Sequence, residues 1–290
     1  MPLPRLPRLR PSRALRPLAL ALALVPAAHA AAGAQVIWRG RSGGFDITWD
    51  TSDVSARRVG DGRLVFSLKQ AFDAERAGRT GDDDPPIREE MVTYRLLSVV
   101  GSIVSLEQYW YCDCGGAHPI SGRGFVSYDL ARSTPARPHP VRITELVPEA
   151  PLLRALTADR LIRGVMDSVD VRTARSLAAL VDTLKYQGTF VATPDDDEQG
   201  MECSYSVGES FPSDFALHHV ENGQLAIRFS LSHSVEICRG RMVQVGVLVP
   251  VPPRLQPALM AADARRSGYL MKDVRRIAGD RETRIEWEAK

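Results

Sequence analysis

Apolar and polar residues alternate along Phe45-Asp46-Ile47-Thr48-Trp49 and, more loosely, along Leu64 to Leu68 behind a Gly60-Asp61-Gly62 turn. A period of two marks half-buried strands joined by turns. From Phe72 the apolar run dissolves into Arg76 to Pro86, which reads as a surface loop rich in charge, glycine and proline. The strongest strand signals follow, Met91 to Val100 and Ser102 to Tyr111, meeting at Gly101. A hairpin is the simplest arrangement of the two, and one bent strand with a bulge at the glycine is the alternative. Phe125 to Leu130 resumes a strand, and the prolines between Ser133 and Pro140 interrupt it.

The period then changes. From Pro151 to Met166 and from Val171 to Tyr186, Leu, Ile, Ala and Val recur every three or four residues, as on amphipathic helices. Asp170 is a candidate cap for the second, and Gly188 a candidate stop. Strands return at Phe215 to Val220, Leu225 to Ser230 and Met242 to Val249, the first two joined by Glu221-Asn222-Gly223, a strong hairpin signal. From Gly268 onward a helix or a loosely attached tail is expected. Strands, then helices, then strands predict an α+β fold, with a mainly antiparallel sheet and two central helices packed on it.

The start of the chain alters this picture. Arg5, Arg8, Arg10, Arg13 and Arg16 precede a short apolar run, Leu18 to Val25, which ends at Pro26 and is followed by Ala28-His29-Ala30. This is the pattern of a secretory signal peptide cut after Ala30, and the run is far shorter than the about 20 residues of a membrane helix. The segments expected are therefore 1–30 signal peptide, 31–90 β-rich, 91–255 α+β, and 256–290 a helical or loosely ordered tail. Losing those five arginines leaves 32 basic residues against 35 acidic ones, a net charge of −3. A nucleic-acid binder would keep a basic excess, so no nucleic-acid partner is expected, nor a transmembrane segment after signal removal.

Four cysteines, Cys112, Cys114, Cys203 and Cys238, are an even number in a chain expected to reach an oxidising periplasmic or extracellular compartment, which is the disulfide pattern. A bridge between Cys112 and Cys114 would close a very small ring, so each is expected to reach one of the distant pair. Two such pairings remain open, each closing a loop on the order of 100 residues and contributing ~4–5 kcal/mol. A zinc site is disfavoured, because Cys-x-Cys lacks the usual ligand spacing.

The segment Tyr109-Trp110-Tyr111-Cys112-Asp113-Cys114-Gly115-Gly116-Ala117-His118-Pro119 carries more information. Together with Phe125-Val126-Ser127-Tyr128-Asp129-Leu130, Ile143-Thr144-Glu145-Leu146-Val147, Phe215-Ala216-Leu217, the Asn222-Gly223 turn and the strand Met242 to Pro250, it resembles the extracellular C-terminal domain of the RsiV-type anti-sigma factors over about residues 90–255. That domain binds lysozyme in its best understood member. The resemblance implies a fold and a tendency toward protein or cell-wall ligands, and it does not imply signalling. Gly115, Gly116, Ala117, His118 and Pro119 become the candidate binding residues. Gly115 and Gly116 permit tight turns, Pro119 fixes the exit, and a ring nitrogen of His118 would bond a backbone carbonyl. Read structurally, the same residues are simply a turn.

Common hydrolase and nucleotide-binding motifs are absent, and no cofactor is implied. His218 and His219 are adjacent on a predicted strand, so they should point to opposite faces and share no metal. The acidic runs Asp82 to Asp84 and Asp195 to Glu198 are read as solvated loops, with steering of a cationic partner or calcium binding as alternatives. The sequence points to an exported, non-catalytic binding protein of the cell envelope, with lysozyme-type enzymes the most concrete ligand. The alternative is an enzyme acting on envelope polysaccharide, with His118 and Asp113 or Glu145 as acid and base.

Overall fold

The computed structural model describes residues 34–79, 87–166, 174–187, 190–192, 203–233 and 241–289, and residues Ala34–Lys290 form one unit. The predicted signal peptide, both acidic runs, Asp170, Gly188 and Cys238 lie outside the described residues.

The alternating stretches near the start form a four-stranded antiparallel meander: β1 (Val36–Ser42), β2 (Phe45–Asp50), β3 (Val54–Arg58) and β4 (Leu64–Ser67). Phe45, Ile47 and Trp49 of β2 are buried while Asp46 is exposed, as the period of two requires. The stretch after β4 is a helix, α1 (Leu68–Gly78), which runs into the first three residues of the predicted loop 76–86; residues 80–86 lie outside the described residues. Ser67 accepts the amide of Gln70 as its cap, and Lys69–Asp73 and Arg79–Glu75 pair one turn apart. Only Leu68 and Phe72 of α1 are buried, too few to make an apolar stripe visible in sequence.

β5 (Glu89–Val100) and β6 (Ile103–Asp113) form the predicted hairpin, turning at Gly101 with φ +60°. β7 (Ile120–Asp129) pairs with β6. After several intervening elements, β13 (Thr283–Glu288) pairs antiparallel with β5, giving the order β13-β5-β6-β7. The stretch from Gly268, expected to be a helix or a loosely attached tail, thus ends in a sheet strand.

The predicted helix from Pro151 to Met166 is two helices. A four-residue turn, α2 (Ile143–Leu146), leads into α3 (Glu149–Ala158); the chain is extended at Asp159, and α4 (Arg160–Met166) follows. The Asp159 carboxylate accepts the amides of Leu161 and Ile162 at 2.8 and 3.2 Å, capping α4. Next come α5 (Leu177–Gln187), β8 (Phe190–Ala192), β9 (Cys203–Ser206), β10 (Phe215–Glu221), β11 (Gln224–His233), β12 (Met242–Pro250), α6 (Gln256–Asp263) and α7 (Val274–Ala278). β11 pairs with β10 from Gln224 to Phe229, with β12 from Gln224 to Ser232, and with β9 at Ser232 and His233. Asn222 and Gly223, both at positive φ, form the expected turn.

The fold is α+β with mainly antiparallel sheets. One core lies among α3, α5 and the β10–β12 sheet; the other joins the first meander, α1 and β5–β7. Buried serines fasten the seam. Ser127 donates to the Phe215 carbonyl at 2.7 Å, and Ser230 accepts the Phe125 amide at 2.8 Å. Among the described residues, no helix is long and apolar enough to cross a membrane.

Candidate functional site

Alternation along β5 and β6 sorts the sheet into two faces. Glu90, Val92 and Tyr94, with Gln108, Trp110 and Cys112, share one face, and Ile120 and Tyr128 of β7 join them. Leu68, Phe72, Glu75 and Arg79, spaced along α1, stand opposite, and Arg137, Pro138 and Pro140 close one end. The result is a cleft of about 790 Å³.

The chemistry of its wall is mixed. Trp110 and Ile120 are large apolar residues that remain 38% and 45% exposed. Trp110 lies flat on β7 because Gly122 has no side chain: a Cβ there would come within 2.5 Å of the indole nitrogen. Arg79 donates to Glu90 at 2.9 Å and also pairs with Glu75. The second oxygen of Glu90, Oε2, is buried with no hydrogen-bond partner. Burial pushes Tyr128 up to about 12 and raises Tyr94 further, so both phenols stay protonated and serve as hydrogen-bonding groups.

The cysteines correct the predicted connectivity. Cys112 is bridged to Cys114, with Cα atoms 5.3 Å apart, and both line the cleft. Residues two apart in extended chain present their side chains to the same face, and this spacing falls in the range a disulfide spans. The small ring is therefore compatible with the strand end, and the expected long bridges from Cys112 and Cys114 do not form. Cys238 lies outside the described residues.

Gly115, Gly116, Ala117 and His118 are exposed on the loop directly after the bridge, and Pro119 is partly covered. Gly115 has φ +78°, and His118 Nδ1 lies 3.4 Å from the Pro119 carbonyl, the backbone contact foreseen for it. Asp113 faces Arg88 at 3.8 Å. Glu145 is committed elsewhere: it accepts the Arg142 amide at 2.9 Å and pairs with Arg132. The amide bond, joined by Arg132, holds its carboxyl below the usual range. No protein-family model, curated protein or solved structure matches the chain.

Glu90, Tyr94, Trp110 and Tyr128 are not among the binding residues expected from the sequence. The available signal was a charged residue in phase with Val92 and Tyr94 on the inward face of a strand.

The histidine pair also differs from expectation. The β10–β11 register shifts between Leu217 and His219, which makes His218 the extra residue of a bulge. The two imidazoles, expected on opposite faces, meet with Nδ1 atoms 2.7 Å apart, and His219 Nε2 lies 3.3 Å from Glu221. Among the described residues no group of three or more metal-ligating side chains is placed to hold an ion.

Burial, aided by Arg228 and His219, pulls His218 down to about 4, and burial pushes Asp214 up to about 6. Their effects on stability oppose each other. His218 is depressed from 6.5, so its contribution is complete above that pH and is lost as pH falls toward 4. Asp214 is raised from 3.8, so its ionisation destabilises the fold above about 6 and that penalty disappears on acidification. Asp214→Asn is expected to raise the melting temperature at pH 7.5 and to steepen the loss between pH 6.5 and 4. His218→Gln should do the reverse at the acid end. Thermal unfolding from pH 4 to 7.5 checks both, and parallel profiles for all three proteins would refute the assignment.

Proposed function

We propose that this is an exported, non-catalytic binding protein of the cell envelope, which takes a protein or cell-wall ligand in the cleft between α1 and the β5–β7 sheet. The observation that carries the reading is the exposed indole of Trp110, backed by Gly122 and set in a cleft that opens beside Gly115 to Pro119. A flat aromatic surface flanked by Glu75, Arg79, Glu90 and two tyrosyl groups suits a partner presenting both apolar and hydrogen-bonding groups. The resemblance of residues 90–255 to the RsiV-type extracellular domain makes a lysozyme-type enzyme the first ligand to try.

Calorimetric titration of residues 31–290 with lysozyme and with soluble peptidoglycan fragments, alongside a muramidase inhibition assay, tests the proposal. Binding of one class is expected. Trp110→Ala should weaken it about 10–100-fold, the effect of truncating an aromatic anchor. No binding in either titration, or an unchanged affinity for the variant, would overturn it.

A further inference from the structure

The Cys112–Cys114 bridge is poorly explained as a staple. Loop-closure stabilisation grows with the logarithm of loop length, so a bridge over two residues restrains the unfolded chain far less than the long loops first expected. It joins no separate elements either, because β6 is already paired along both sides, with Cys112 opposite Glu90 on β5 and Ile120 on β7. What distinguishes the bridge is its position. Both cysteines line the cleft; Cys112 is only 4% exposed and Cys114 is partly exposed. The exposed Gly115-Gly116 follows, a flexible exit that lets Cys114 move away once the bond opens.

A second observation lies at the same place. Glu90 is the cross-strand neighbour of Cys112, and directly opposed side chains on one face of a sheet lie about 5 Å apart at Cβ. Its Oε1 accepts from Arg79, whereas Oε2 is buried without a hydrogen-bond partner, on a residue itself 9% exposed. An unpartnered carboxylate oxygen is costly to bury. Beside Cys112 it is placed to accept a hydrogen bond from a thiol once the bridge opens. The charged groups facing it from α1 are Arg79 and Glu75.

We propose that Cys112–Cys114 is an exchangeable disulfide that oxidises a dithiol carried on a polypeptide segment entering the cleft, with Glu90 as the hydrogen-bond acceptor of the Cys112 thiol that forms. The first substrate thiol loses its proton to solvent, and its sulfur attacks Cys114 Sγ, the more accessible of the two. The Cys112–Cys114 bond breaks, its electron pair leaves on Cys112 Sγ, and Cys112 takes a proton from solvent and donates its S–H to Glu90 Oε2. The second substrate thiol, losing its proton to solvent, attacks the substrate sulfur of the mixed disulfide. Cys114 departs as a thiolate and is protonated from solvent. Two substrate thiols become one disulfide, and one protein disulfide becomes two thiols; the exchange is stoichiometric.

The test uses residues 31–290 and a reduced peptide bearing two cysteines two residues apart. Alkylation and peptide mass spectrometry follow the 112–114 bridge and the peptide separately. Oxidation of the peptide, matched mole for mole by new thiols at Cys112 and Cys114 in a chain whose circular dichroism is unchanged, is expected. Glu90→Leu, which offers no acceptor to the Cys112 thiol, should lower the fraction of open bridge at equilibrium with the peptide about tenfold. In single variants, Cys114 of Cys112→Ser should react with an aromatic disulfide at least tenfold faster than Cys112 of Cys114→Ser. A bridge that stays closed against excess peptide overturns the proposal, as does a Glu90→Leu protein with the wild-type fraction of open bridge. Because sulfur state is read directly, failure here and failure of lysozyme binding are separate results.

Discussion

Tyr269→Ala is expected to destabilise the fold by about 3–5 kcal/mol, the range for emptying a buried aromatic site. Tyr269 is fully buried, and its ring meets Trp38 of β1 edge-on at 5.0 Å. Its hydroxyl donates to the Leu96 carbonyl at 2.7 Å, and its backbone exchanges two hydrogen bonds with Val99. One residue thus ties the C-terminal stretch to β5 and to the first meander. Gly268 makes the approach possible: at φ +80°, a Cβ there would sit 2.1 Å from the Val99 oxygen. Denaturant unfolding measures the loss, and Tyr269→Phe, which keeps the ring, should lose only about 1 kcal/mol. Equal losses for the two variants would show that the hydroxyl, not packing, dominates.

Phe229→Ala should cost a similar ~3–5 kcal/mol in the other core, lowering the melting temperature by roughly 10 °C. Phe229 is fully buried on β11, stacked on Phe211 at 4.9 Å and tilted against Phe215 at 6.3 Å. β11 is held by β10 and β12, so the surroundings have little freedom to collapse into the space. Tyr269 and Phe229 belong to different hydrophobic clusters, and the double variant is expected to show the sum of the two losses within about 0.5 kcal/mol. A loss well short of that sum would mean that the clusters unfold separately.

Of the site, the cleft-lining cysteines and the loop after them stood out as residue types. Their arrangement did not. Glu90 and Trp110 are ordinary strand residues until α1 is laid across the sheet, and α1 itself was hidden by a charged sequence with only two buried positions.

Local pattern was enough for the α+β class and for the turns at Gly101 and Asn222-Gly223, because strand period and positive-φ residues are properties of neighbouring positions. Long-range pairing decided the rest. β13 became a strand by finding the edge of β5, 183 or more residues away in the chain, and the pairing of Cys112 followed from where β6 ends. A bulge in the β10–β11 register turned two histidines toward each other. Each of these depends on which backbone groups remain unpaired once the sheets assemble, and the order of residues within one segment does not specify that.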